Sequence, residues 1–213
     1  GQSVAADVAM YYKKDFEIKK QKALLAFGAN ISNIGAKISY TESTESDFIP
    51  INLRFGPTFS VDLDQYNNLA ISVDINKLLV PTPPIYNLDG TIAKGKDPNV
   101  SVVQGMIQSF FDAPNGLKEE IREINYASGI EYWYDKQFAV RTGYFFEHNS
   151  KGNRKYITVG AGVKYNVFNI DFSYLIPTES RNPLENTIRF SLIFDFEAFN
   201  KQNKSSLDNN SSN

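Results

Sequence analysis

The feature that most constrains this chain is a period of two. In residues 124 to 134, Ile124, Tyr126, Ile130, Tyr132 and Tyr134 occupy even positions, while Asn125, Ala127, Gly129 and Glu131 occupy odd ones. Such alternation places apolar and polar side chains on opposite faces of a β-strand. It recurs downstream. Phe138 to Phe146, Ile157 to Tyr165, Phe168 to Ile176 and Ile188 to Phe196 each carry an apolar face, with Trp133 and Phe145 out of pattern. Upstream it is weaker but present, in Val4 to Tyr12, Leu25 to Ile31, Ile38 to Tyr40, Leu53 to Val61 and Leu69 to Ile75. The chain is therefore predicted to be all-β and antiparallel, with about ten strands joined by turns and loops.

Alternation alone does not say which face meets water. Three features turn the expectation from a soluble sandwich toward an outer-membrane β-barrel. The predicted strands are long, near the 9–11 residues that cross a bilayer at a tilt. Their polar face is small and carries both signs of charge, including Asp74, Glu131, Arg141, Asp171 and Arg189, as a narrow lumen would require. Aromatic residues, 14% of the chain, gather near strand ends as interfacial girdles do: Tyr12, Tyr40, Tyr132, Tyr134, Phe138, Tyr165, Phe168, Phe194 and Phe196. In this reading Tyr126, Phe172, Phe190 and Leu192 face lipid. Arg141, Asp171 and Arg189 face the lumen, where mixed charges pair across the interior.

The connections alternate in length. Asp64 to Asn68, Asp135-Lys136 and Asn166-Val167 are short, while Thr41 to Pro50, Leu78 to Ile121, His148 to Arg154 and Thr178 to Leu184 are longer. Short turns of such barrels face the periplasm and long loops the exterior. The C-terminus is then periplasmic, and Asn30 to Gly35 is expected as a further periplasmic turn. Residues 1–199 form the barrel portion, and 200–213, rich in Asn, Ser and Lys, form a disordered polar tail. The opening at Gly1-Gln2-Ser3-Val4 has neither an initiator Met nor a signal peptide, and suggests a start inside a longer protein or a cleaved chain.

The connection from Leu78 to Ile121 is the least ordinary segment, because loops this long are usually functional or disordered. Pro81, Pro83 and Pro84, followed by Tyr86, predict a stiff extended rod. Val102 to Phe111 has apolar residues at helical spacing, Asp112 to Gly116 breaks it, and Leu117 to Ile124 predicts a short helix with Glu119, Glu120 and Glu123 on a solvated face. Phe110 and Phe111 would point about 100° apart on a helix, so one is free as an anchor beside Met106 or Ile107. The candidate partner-binding residues are Pro81, Pro83, Pro84, Tyr86, Met106, Ile107, Phe110 and Phe111. The competing role is a lid over the barrel's own mouth.

Chemistry is sparse. With no Cys and one His, thiol nucleophiles, disulfides and Cys- or His-rich metal sites are excluded. No phosphate-binding loop, nucleophile elbow or metalloprotease motif occurs. His148 reads as a solvated loop residue. Lys151, Arg154 and Lys155 form a small basic cluster suited to loop solubility, and less so to lipopolysaccharide phosphate. A net charge of −2 offers no field to gather nucleic acid. No enzyme activity, cofactor or metal is expected.

Several strings carry a family resemblance. They are Asn30 to Tyr40, Phe48 to Gly56, Asn76 to Pro84, Phe111 to Glu120, Gly152 to Tyr156 and Asn186 to Ser191. Together, and in order, they resemble the PorV (LptO) family of outer-membrane components of the type IX secretion system of Bacteroidetes, itself similar to FadL-type channels. The resemblance implies a FadL-like barrel of about 14 strands in the full protein, so that about four N-terminal strands lie outside this chain. It also implies a non-enzymatic role in protein secretion. Such proteins dock on a giant translocon barrel (SprA/Sov type), bind cargo by its C-terminal signal domain and deliver it to a surface attachment complex (PorU type), amid outer-membrane lipid and lipopolysaccharide. The alternative is a FadL-like channel for hydrophobic small molecules.

Overall fold

A computed structural model describes residues 2–39, 46–178 and 187–195. Nine strands form one antiparallel sheet in simple meander order. They are β1 (Ala5–Ile18), β2 (Gln21–Gly35), β3 (Asn52–Asp62), β4 (Asn67–Leu78), β7 (Ile124–Tyr134), β8 (Phe138–Phe146), β9 (Lys155–Tyr165), β10 (Phe168–Pro177) and β11 (Ile188–Phe194). Between β4 and β7 lie a hairpin of β5 (Ile85–Tyr86) and β6 (Ile92–Lys94) and two helices, α1 (Val102–Gln108) and α2 (Leu117–Arg122). The sheet is not closed among the described residues, and β1 and β11 are its edges. Among the described residues no helix is long and apolar enough to cross a membrane, and the large antiparallel meander fits the expected all-β barrel.

Two expected elements are corrected. Of the strand expected at Ile38 to Tyr40, the described residues show an isolated bridge between Ile38 and Asp47, so the sheet among the described residues has nine strands rather than ten. Asn30 to Gly35 is no turn: it completes the 15-residue β2, pairing with Ala5 to Ala9 of β1. The real hairpin is at Lys19-Lys20, both with positive φ (49° and 71°). Two consecutive left-handed residues give a turn whose twist matches the strands, but Lys-Lys lacks the usual Asn-Gly signature. The short turns Lys19-Lys20, Leu63 to Tyr66, Asp135 to Gln137 and Asn166-Val167 all lie at one end of the meander, and the longer connections lie at the other. The predicted tail 200–213, with Tyr40 and Phe196, lies outside the described residues.

Exposure along the strands is inverted relative to a soluble protein. Ile130, Phe172 and Phe190 are 48, 46 and 64% exposed, while the intervening polar residues are less so. Buried apolar residues among those described are few, mostly alanines plus Ile51 and Leu79. A wall that shows water its apolar face has lipid as its solvent on that side.

The polar face is organised around Arg141. Register places Arg141 opposite Glu131 on β7 and Gly160 on β9, and Asp171 opposite Gly162. The guanidinium donates to both Glu131 and Asp171. Gly162 makes room, because a Cβ there would sit 2.7 Å from an Arg141 nitrogen and 2.5 Å from Asp171. Both pattern-breaking aromatics are accounted for on this face. Trp133 donates from Nε1 to Glu131 at 2.6 Å and lies under Arg141; Phe145 stacks on Tyr156 with centroids 4.9 Å apart. Near the short-turn end, Tyr66 meets Tyr134 and Phe168 meets Phe194, an aromatic band of the kind that sits at a membrane interface.

Candidate functional site

The long connection folds back on the end of the sheet. Its first residue is fixed by backbone pairing: Leu79 N–H donates to the Ile51 carbonyl at 2.8 Å, and both side chains are almost fully buried. The rod follows. Pro81 and Pro84 are buried, while Pro83 and Tyr86 are exposed. A cavity of about 370 Å³ lies beneath, between Val80 to Pro83 and the polar ends of the strands at Asn52, Asn76 and Glu147. Ser101 caps α1 by accepting the Gln104 amide at 3.3 Å. One turn on, Gly105 abuts the Phe48 ring and Pro81, and a Cβ would lie 2.5 Å from that ring. The helix therefore seats on the preceding loop by its glycine side.

The opposite side of α1 is open. Val103, Ile107 and Phe111 are 66, 59 and 55% exposed and line a surface groove with Lys96 and Gln104. Met106 is half-buried. The helix ends at Gln108, short of the two phenylalanines, which corrects the expected helix to Phe111. Phe110 and Phe111 donate their amides to Ile107 and Gln108 in tightened i to i+3 bonds. Both rings remain exposed: Phe110 has Lys77 Nζ 5.8 Å from its centroid, and Phe111 has Lys96 Nζ 3.9 Å away.

Beneath these residues is a cluster of buried charge. Lys77, at the end of β4, pairs with Glu120 at 3.2 Å and Glu123 at 2.8 Å. Lys151, in a single 3-10 turn (Asn149–Lys151) after β8, pairs with Glu119 at 2.7 Å and Glu123 at 2.9 Å. Thr82 donates from Oγ1 to Glu123 at 2.7 Å and from its amide to Asp112 at 3.1 Å. Ala113 N–H donates to Glu120 at 2.8 Å. The expected solvated acidic face of α2 is thus corrected: Glu120 is buried, and Glu123 and Glu119 mostly so, because α2 lies along the strand ends. The basic cluster is likewise engaged within the chain. Besides Lys151, Arg154 makes a two-pronged pair with Glu147 at 2.8 Å, and Lys155 donates to Asn149. His148 accepts the Ser150 amide at 3.2 Å and starts the short turn.

Sequence reasoning missed Lys77. The available signal was its parity: it follows Ile71, Val73 and Ile75 on the lipid-facing side of β4. A lysine there needs a carboxylate brought from elsewhere.

The cluster titrates in two senses. Burial would raise Glu123, but bonds from Lys77, Thr82 and Lys151 outweigh it and hold the group below its usual range. Bonding to Lys151 does the same for the more exposed Glu119. Asp112 goes the other way: burial raises it, only partly opposed by Thr82, and its Oδ1 is buried without a partner. Depressed carboxylates stabilise the folded arrangement above the unfolded pKa, and that contribution is lost as pH falls through the folded value. A raised Asp112 removes stability as pH rises through its range. Backbone amide protection across residues 79–123, corrected for intrinsic exchange, is expected to rise slightly on mild acidification as Asp112 takes a proton. It should then collapse below the ordinary glutamate value of about 4.3. Hydrogen exchange as a function of pH checks both limbs.

Residues 1–85, from β1 to the end of the proline rod, match the family model described as type IX secretion system protein PorV. No curated protein matches the chain.

Proposed function

We propose a docking and cargo-handling function from one premise: residues 1–85 match the family model of the type IX secretion system protein PorV. The coarse role follows from that family: a component of protein secretion, in the outer membrane. The finer reading is that the chain docks on a giant translocon barrel, binds the C-terminal signal domain of secreted cargo and passes it to a surface attachment complex. The observation carrying this reading is the apolar face of α1, with Phe110 and Phe111, held outward on a connection that Lys77 pins to the end of β4. Exposed apolar patches on ordered segments mark interaction sites, and aromatic anchors dominate such contacts. Tyr86 and Pro83 extend the exposed surface; Pro81 and Pro84 hold the rod in place.

A channel for hydrophobic molecules would need an apolar interior. The inward face here carries Glu131, Arg141, Asp171, glycines and small polar residues, which favours the docking reading. A periplasmic C-terminus is part of the same reading, supported by the chain's ending at the short-turn end of the meander.

Deleting residues 85–114 from the full-length protein tests the reading in native membranes. The expected result is loss of translocon and cargo from pull-downs while the barrel still inserts. Normal recovery of both, with altered leakage or barrel stability alone, overturns docking in favour of a lid.

A further inference from the structure

The charge cluster has a geometry that simple loop anchoring does not require. Glu123 is shared: one carboxylate oxygen faces Lys77 and the other faces Lys151. Lys77 belongs to β4 and Lys151 to the segment after β8, so this one side chain ties together positions on either side of β7. Glu120 and Glu119 repeat the contact, one to each ammonium. Lys77 and Glu120 are nearly sealed from solvent, with side chains 6 and 7% exposed. The cluster also reaches the open patch directly. Lys77 lies beneath the Phe110 ring, and Asp112, next after Phe111, is held by Thr82 of the rod.

We infer that Lys77, with Glu120 and Glu123, is a positioning residue: an ionic clasp that fixes the connection in one conformation and so presents Ile107, Phe110 and Phe111 already arranged for their partner. The docking role of the patch rests on the function proposed above; the clasp itself does not.

The physical logic is preorganisation. A long connection with exposed aromatics would lose much conformational freedom on binding, and a connection ordered beforehand has less to lose. An ionic anchor does this with a sharp dependence on a single charge. Three carboxylates face two ammonium groups here, and Asp112 adds a fourth acid nearby. Removing Lys77 leaves Glu120 buried without its cation and Glu119 and Glu123 sharing Lys151 alone, so the surplus negative charge drives α2 off the strand ends. An apolar anchor of equal area would lack this response.

The test uses the purified full-length protein in detergent micelles and the same variants in native membranes. Lys77→Met keeps the unbranched stem and removes the charge. It is expected to speed amide exchange across residues 101–123 by at least about tenfold, the consequence of a buried pair broken on one side, while β7 to β10 amides stay as protected as before. Lys77→Arg retains the charge and should restore most of the protection. In pull-downs from native membranes, Lys77→Met should lower translocon recovery through faster dissociation. Phe111→Ser should lower it without changing exchange.

Unchanged exchange in Lys77→Met overturns the clasp. Faster exchange with undiminished recovery overturns the positioning role, provided the 85–114 deletion abolishes recovery. Should that deletion also leave recovery intact, the docking reading has failed, and the exchange data alone decide whether the clasp holds.

Discussion

Phe172→Arg is expected to block stable insertion. Phe172 lies mid-strand in β10, between Ala161 of β9 and Phe190 of β11, and is 46% exposed on the apolar face. An arginine near the midplane of a lipid-facing wall costs about 2–4 kcal/mol, a large share of the stability of an ordinary domain. The folded fraction in phospholipid vesicles, read from heat-modifiable gel mobility or a urea midpoint, should fall sharply. Ala70→Arg is the matched control. It adds the same group to the polar face, opposite Glu131, and should insert nearly as well as the native sequence. Equal tolerance of both substitutions would mean that the apolar face does not meet lipid.

The second large effect is expected at Arg141. Arg141→Leu leaves Glu131 and Asp171 without the cation both of them bind. Breaking a fully buried network from one side costs about 3–5 kcal/mol. The Arg141 side chain is 31% exposed, so solvent screening reduces the expected loss to about 1–2 kcal/mol. The informative comparison is the triple variant Arg141→Leu, Glu131→Gln, Asp171→Asn. Replacing a whole charge network is far less harmful than orphaning part of it, so the triple variant should recover most of the lost urea midpoint. If it is no better than Arg141→Leu, the guanidinium matters for packing on Trp133 and not for charge compensation.

These two residues also show how the two kinds of information divide. The faces were legible from the sequence. A strand has a side-chain period of two whatever surrounds it, so Phe172 and Arg141 were assigned to opposite faces before any pairing was known. The same rule located β3, β4 and the strands from Ile124 to Phe194, and the length and smallness of the polar residues pointed to a lipid-solvated wall. The resemblance carried by Asn30 to Tyr40 and Asn76 to Pro84 falls within the residues that match the PorV family model.

Where local period and tertiary pairing disagreed, the sequence misled. Lys13 to Ile18 and Gln21 to Ala23 carry too many charges to read as strand, yet they pair across Lys19-Lys20 because β1 and β2 extend one another's ladder. The short pattern that begins at Ile38 shows one bridge, to Asp47, among the described residues. Trp133 and Phe145 broke the alternation on paper; across the sheet they meet Glu131, Arg141 and Tyr156, partners contributed by the same and other strands.

The clasp lay beyond local reading for a related reason. Glu119, Glu120 and Glu123 on a short helix look solvated, because carboxylates at helical spacing usually meet water. What buries them is Lys77, separated from Glu123 by the whole connection, and Lys151 beyond two further strands. Local propensity sets which face a side chain takes; only chain return sets which distant charge it meets. For this protein the sequence by itself determined a two-faced β wall and the match of residues 1–85 to the PorV family model. The tertiary structure decided which strands pair and where the hairpins fall. It also decided that an acidic helix is buried against two lysines, because desolvating those charges is tolerable only once folding has brought the opposite charges within bonding distance.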